Sequence, residues 1–331
     1  MDSLRPAGAR ALIGLLLAAG LPGSAAPCDS TGCFLVTRSA GGLLPRKAWR
    51  LDLSYRATDD SQLMSGSDST TRVNRPKVDF EHEIVRPGFH QDLGGTSRFL
   101  QVDAAYGITG RTTALASAPV VTHRDYQIGH PPALTEDYET WGLGDTLVGV
   151  RHAFVAGASL SVVGGIALEL PTGDYRLVSP AALFDIGVLD PMLQPGSGSF
   201  DAVLSAQCAR RLTRRQLDLT AAFSYQANTT NDLQYRYGND AIASLSLAGP
   251  LGGRLRGSLQ VKYANRGRSE YRGEDVASTG GTIVYAIPGL VASLPTRLSL
   301  YLFVPVPVYR YVNETQVAPR LSLVLGVART F

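Results

Sequence analysis

The chain has 331 residues, of which 44% are hydrophobic and 18% charged, and it carries a formal net charge of +3. A mean hydropathy of +0.03 is too low for a helical membrane protein. The small, scattered positive charge provides no basic stripe of the kind that nucleic acid requires.

Residues 1–26 read as a secretory signal. Arg5 and Arg10 precede an apolar stretch from Ala11 to Leu21, and the small residues Gly23, Ser24, Ala25 and Ala26 follow. That stretch is too short to cross a bilayer as a helix, and no later run approaches the length of about 18 apolar residues that a crossing needs. Pro27 directly before Cys28 argues against a lipoprotein. Cys28 and Cys33 are either a small disulfide loop or two unpaired thiols.

The rest of the chain alternates with a period of two, the signature of strands with two different faces. The first predicted strand is 47–57, where Trp49, Leu51, Leu53 and Tyr55 alternate with Arg50, Asp52, Ser54 and Arg56. A long polar connection runs to about residue 96. Strands follow at 97–108, 112–126, 139–155, 158–170, 199–212, 215–228, 236–248, 254–265, 275–287, 296–312 and 319–331. Connections alternate long and short, and the last strand ends on Phe331. Twelve strands, an even number, with long loops on one side only predict an all-β fold: a transmembrane antiparallel outer-membrane β-barrel. Closure is compulsory in hydrocarbon, because an open edge leaves backbone groups unsatisfied. The predicted organisation is a signal peptide over 1–26, a periplasmic N-terminal segment over 27–46 and the barrel over 47–331. Outer-membrane proteins commonly finish in Phe, which their assembly machinery reads, so Phe331 is the expected contact with that machinery. Outer-membrane lipid is the expected partner of the apolar faces.

If those faces look to lipid, a mixed polar wall faces the lumen. It includes Asp145, Arg151, Glu169, Arg254, Arg256 and Lys262. Tyr301, Phe303, Pro305, Pro307, Tyr309 and Tyr311 alternate with Leu and Val on the eleventh strand, and this aromatic face is predicted to line the lumen. Such a surface suits an apolar ligand, or else its rings pack a plugged lumen. Pro305 and Pro307 also remove ladder donors. Cys208 is expected on an outward face.

Two segments carry a recognisable pattern. Residues 140–155 contain Gly142-Leu143-Gly144-Asp145 entering a strand, with Arg151 near its far end. One hairpin later comes Pro171-Thr172-Gly173. The pair resembles the outer-membrane transporter family named for the meta pathway of phenol degradation, and the resemblance extends to 106–126 and to the closing strand. It implies a barrel for uptake of small, often aromatic or hydrophobic solutes. Read from the residues, Gly142 and Gly144 permit a close approach or a bulge, Asp145 pairs with Arg151 or a neighbouring strand, and Gly173 allows a turn. These residues either build the scaffold or touch the solute.

His82, Glu83, His90, His123 and His130 fall in loops or at strand ends without a recognised metal-ligand spacing. No nucleophile–base–orienter set and no phosphate loop is recognisable. The expectation is a diffusion channel without metal, cofactor or nucleic acid. The alternatives are an outer-membrane enzyme such as a lipid hydrolase, and a structural barrel with a plugged lumen.

Overall fold

The computed structural model describes residues 43–130, 134–178, 187–212 and 216–331. The signal segment, Cys28, Cys33 and most of the 27–46 segment lie outside the described residues. Among the described residues no helix is long and apolar enough to cross a membrane. The chain instead forms twelve antiparallel staves. They are β1 (Trp49–Asp60), β2 (Ile84–Gly107), β3 (Thr112–His130), β4 (Leu134–Gly142, continued by Thr146–Ala156), β5 (Leu160–Leu170) and β6 (Asp201–Leu212). They continue as β7 (Leu217–Ala227), β8 (Asp240–Gly252), β9 (Leu255–Arg266), β10 (Gly281–Ser293), β11 (Leu298–Phe303, continued by Val306–Val312) and β12 (Leu321–Thr330). Each pairs with its sequence neighbours. The ring closes because β1 pairs with β2 on one side, Trp49 opposite Tyr106, and with β12 on the other, Arg50 opposite Thr330 and Asp59 opposite Leu321.

Alternation sets the two surfaces. Leu51, Leu53, Val148, Val150, Ile166, Leu168, Leu204, Leu245, Leu259, Leu300 and Leu325 are exposed outside, whereas Arg50, Asp52, Arg151, Asp201, Gln207, Asp218 and Gln260 are buried inside. Cys208 is exposed on the outer face. Trp49, Phe154 and Phe331 are exposed at the end with short turns, and Trp141, Tyr225, Tyr263, Tyr309 and Tyr311 at the end with long loops. Two aromatic girdles bounding an apolar band mark the interfaces of a membrane barrel, and the short turns mark its periplasmic end.

Three features depart from the pattern expected from sequence. First, β2 begins at Ile84 and β3 runs to His130, so the wall extends well beyond the outer girdle, and Val73–Asp79 adds a further strand to it. Second, β10 spans 281–293 rather than 275–287. Pro288 continues this stave opposite Leu259 instead of ending it. The neighbouring stave β11 is broken at Val304-Pro305, beside Pro288, and Val304 donates its N–H to the Pro288 carbonyl at 3.1 Å. Third, a register shift between Val284 and Tyr285 opposite Tyr309 and Pro307 flips the outer part of β11. Tyr309 is therefore 48% exposed on the outer wall and not in the lumen.

Candidate functional site: a lumen narrowed by an anchored loop

The Gly-Leu-Gly-Asp segment is where β4 leaves the ladder, between Gly142 and Thr146. The break is used to hold the β5–β6 connection. Asp145, 7% exposed, accepts the Gly173 N–H at 2.9 Å and the Ser197 N–H at 2.5 Å. Thr172 Oγ1 accepts the Thr146 N–H at 2.9 Å and Asp174 donates its N–H to the Leu143 carbonyl at 3.1 Å. At Gly173 a Cβ would stand 2.7 Å from the Leu143 oxygen and 2.9 Å from Gly196 Cα, so only glycine fits this backbone-on-backbone contact. The two halves of the motif thus interlock. Asp145 does not pair with Arg151, which is buried deeper in the lumen with Asp103 as its electrostatic partner. Pro171 leads the loop away from the end of β5.

Beyond this clamp the loop turns inward. Asp190 caps a single turn over Pro191–Leu193, and Leu189 and Leu193 pack on Tyr126, Ile128 and Tyr138. This apolar contact lies on the inner face of the extended wall. Polar ties complete it. Arg75, on Val73–Asp79, bridges Asp92 at 2.7 Å and Asp190 at 3.0 Å, all three buried. Arg124 donates to the Met192 and Gln194 carbonyls, Thr140 to Leu193 O at 2.8 Å and Tyr237 to Pro191 O at 2.9 Å. The outer loops are tied to one another as well. The Arg268 guanidinium holds the Glu314 carboxyl below the usual carboxylate range, against the opposing effect of partial burial, with the Ser278 N–H adding to it.

Under the loop lies a cavity of 440 Å³, which shares Arg56, Tyr237, Lys262 and Tyr285 with an outer vestibule of 470 Å³. Its walls differ by sector. Tyr285, Ile287, Pro305 and Val324 line it from β10–β12, and Asp145, Glu169 and Asp201 from β4–β6, half a turn of the barrel away. Arg56 and Lys262 flank the two, each over an aromatic ring: Arg56 is 4.4 Å from the Phe99 centroid and Lys262 5.6 Å from that of Tyr285. Glu169 accepts from Gln226 and Asp201 from Ser199 and the Thr229 N–H.

Below the cavity, Tyr301 and Phe303 extend the apolar sector. Both are buried with Ile287 and Val324, and Tyr301 donates to Asp52 at 2.7 Å. Phe303 lies over Gly289 and Tyr301 over Gly326, where any Cβ would strike the rings. The two rings therefore lie against the wall. Arg256 takes part in the lumen floor, where it and Arg211 grip the buried Asp218 at 2.5 and 3.0 Å. Arg254 sits exposed in the β8–β9 turn, outside the lumen wall. Arg211 gave no separate signal in the sequence, since it belongs to a run of basic residues around the β6–β7 turn.

The family described as "Putative MetA-pathway of phenol degradation" matches residues 54–306. The chain belongs to this family. Its fold is similar to that of an outer-membrane channel from Pseudomonas putida F1, with a TM-score of 0.57 at 12% identity over 88% of this chain and 97% of that one. A more distant likeness, TM-score 0.44 at 9% identity over 93% and 96% of the two chains, is to the toluene transporter TbuX of Ralstonia pickettii. No curated protein matches in sequence. Family and fold together make this a twelve-stranded outer-membrane barrel of the phenol-degradation family.

Proposed function

We propose that the protein is an outer-membrane channel through which small aromatic or hydrophobic solutes diffuse. The observation that carries this reading is the continuous apolar sector inside a lumen that is otherwise polar: Tyr285, Ile287, Tyr301, Phe303 and Val324 on β10–β12. Tyr285, Ile287 and Val324 of this sector border the cavity under the loop, where they offer an apolar solute a contact that a hydrated solute cannot use. Selection would rest on lumen width, the charge pattern of Asp145, Glu169, Arg56 and Lys262, and aromatic contact, without energy coupling. The chain would reach the membrane through cleavage of 1–26, leave 27–46 in the periplasm, present Phe331 to the assembly machinery and sit in outer-membrane lipid. It needs no catalytic group for this role.

Proteoliposomes containing the full chain should take up a small phenol or toluene faster than protein-free vesicles. Ile287→Gln with Val324→Gln should lower that flux at least tenfold while ion conductance stays within about twofold. Equal solute flux with and without folded barrel overturns the reading.

A further inference from the structure

The two ends of the barrel differ in charge. At the outer end exposed residues of both signs alternate, among them Glu83, Asp137, Glu139 and Asp275 with Arg72 and Arg272. Among the described residues the exposed charged side chains at the periplasmic end are all cationic: Arg46, Lys47, Arg111, Arg210, Arg254 and Arg297. No carboxylate side chain occurs in the turns there. The nearest ones, Asp52 and Asp218, are 3% and 1% exposed and face the lumen.

The position of these cations relative to the apolar band matters. Arg210 lies on the outward face between Cys208 and Leu212. Arg254 sits between Leu251 and Leu255, and Arg297 follows Leu294, all three leucines exposed. Arg111 follows exposed Ile108, and Arg46 and Lys47 precede Trp49 of the lower girdle. The stems can run along hydrocarbon while the heads reach the level of the phosphates. The cations occupy five separate places, beneath β1, β2–β3, β6, β8–β9 and β10–β11. An acidic protein would instead need one contiguous patch of roughly 800 Å². A collar of separated cations at headgroup depth fits many small anions side by side.

We infer that the periplasmic collar binds the headgroups of anionic phospholipids in the surrounding leaflet, with Arg111, Arg210 and Arg254 as principal contacts. The inference rests on the transmembrane fold and not on the transport reading, and its test has no flux readout.

The full chain is to be placed in nanodiscs of phosphatidylcholine with a minority of phosphatidylglycerol, and the lipids retained after mild extraction counted by native mass spectrometry. Retained phosphatidylglycerol should exceed its share of the bilayer by roughly fivefold, the factor that one arginine near a membrane surface supplies. Raising salt to about 0.5 M should remove the enrichment, because the pairs are solvent-exposed. Arg111→Gln with Arg210→Gln and Arg254→Gln should abolish it, Arg72→Gln with Arg272→Gln at the outer end should not, and the lysine triple variant should keep it. Retention in proportion to bilayer content overturns the inference, as does enrichment that survives salt in the wild-type chain, a result available even if the glutamine triple fails to fold. Loss of the enrichment on adding soluble glycerol phosphate at low millimolar concentration, with ionic strength held constant, assigns the sites to free anions and overturns the leaflet assignment.

Discussion

Asp145 shows how one carboxylate can organise a passage through the loop that it holds in place. Its two oxygens accept N–H groups from Gly173 and Ser197, which lie 28 and 52 residues further along the chain. Hydrogen bonds to a charged group contribute about 1.5–3 kcal/mol each, so the clamp is among the stronger local contacts of the loop. Asp145→Ala removes both and leaves two N–H donors in a largely buried place. The expected outcome is a loss of about 3 kcal/mol in denaturant unfolding, together with noisier and larger single-channel currents as the loop comes free. Quiet currents at the wild-type level would show that the loop does not narrow the lumen. The sequence marks Asp145 as unusual through its glycine neighbours, but its partners are backbone N–H groups, which carry no side-chain signature. Pairing with Arg151 or with a neighbouring strand is the natural expectation for that reason. Tyr309 was misplaced for a related cause: period-two counting assumes an unbroken ladder, and the shift opposite Val284 reverses inside and outside.

At the scale of elements, the membrane-spanning parts of the staves were legible because lipid on one side and water on the other impose opposite demands on successive residues. That contrast vanishes above the outer girdle. On the inner face of β2, His90 and Asp92 are buried under the folded loop, while the outer face meets water, so Ile84 to Thr96 reads as a polar connection although it is strand. The same region contains the Arg75 bridge, which joins Val73–Asp79, β2 and the inward loop through Asp92 and Asp190. Its members are buried, so removing one partner costs more than removing all. Arg75→Met is expected to destabilise the outer region by about 3–5 kcal/mol, because two carboxylates lose their counter-ion, whereas Arg75→Met combined with Asp92→Asn and Asp190→Asn should fall much closer to wild type. Chemical unfolding followed by a probe on the β5–β6 loop reads both. A triple variant less stable than the single one would assign the bridge a net stabilising role and sink this account.

The whole molecule depends on its seam. A closed barrel has no free edge, and in hydrocarbon every ladder bond left unmade costs several kcal/mol, so β1 and β12 must meet in one register around the entire ring. The alternation of β12 constrains that register to slips of two, since a slip of one would turn Leu323 and Leu325 inward. The structure selects Leu53 opposite Val327 and Ser54 opposite Gly326. Facing residues of an antiparallel pair stand about 4.5–5.5 Å apart at Cα, within the span that a disulfide bridges. With the three native cysteines replaced by serine, Leu53→Cys with Val327→Cys should cross-link under mild oxidation. The linked chain should keep a compact gel mobility after heating that the reduced chain loses. Leu53→Cys with Leu325→Cys, offset by one pair along the same face, should link poorly, because diagonal neighbours stand about 7–8 Å apart. Equal linking of both pairs would mean that the seam slides, and linking of neither would mean that the ring closes elsewhere. A single linked register would tie the last strand, ending on Phe331, to the first, starting at Trp49, and fix the circumference within which the loop clamp and the apolar sector operate.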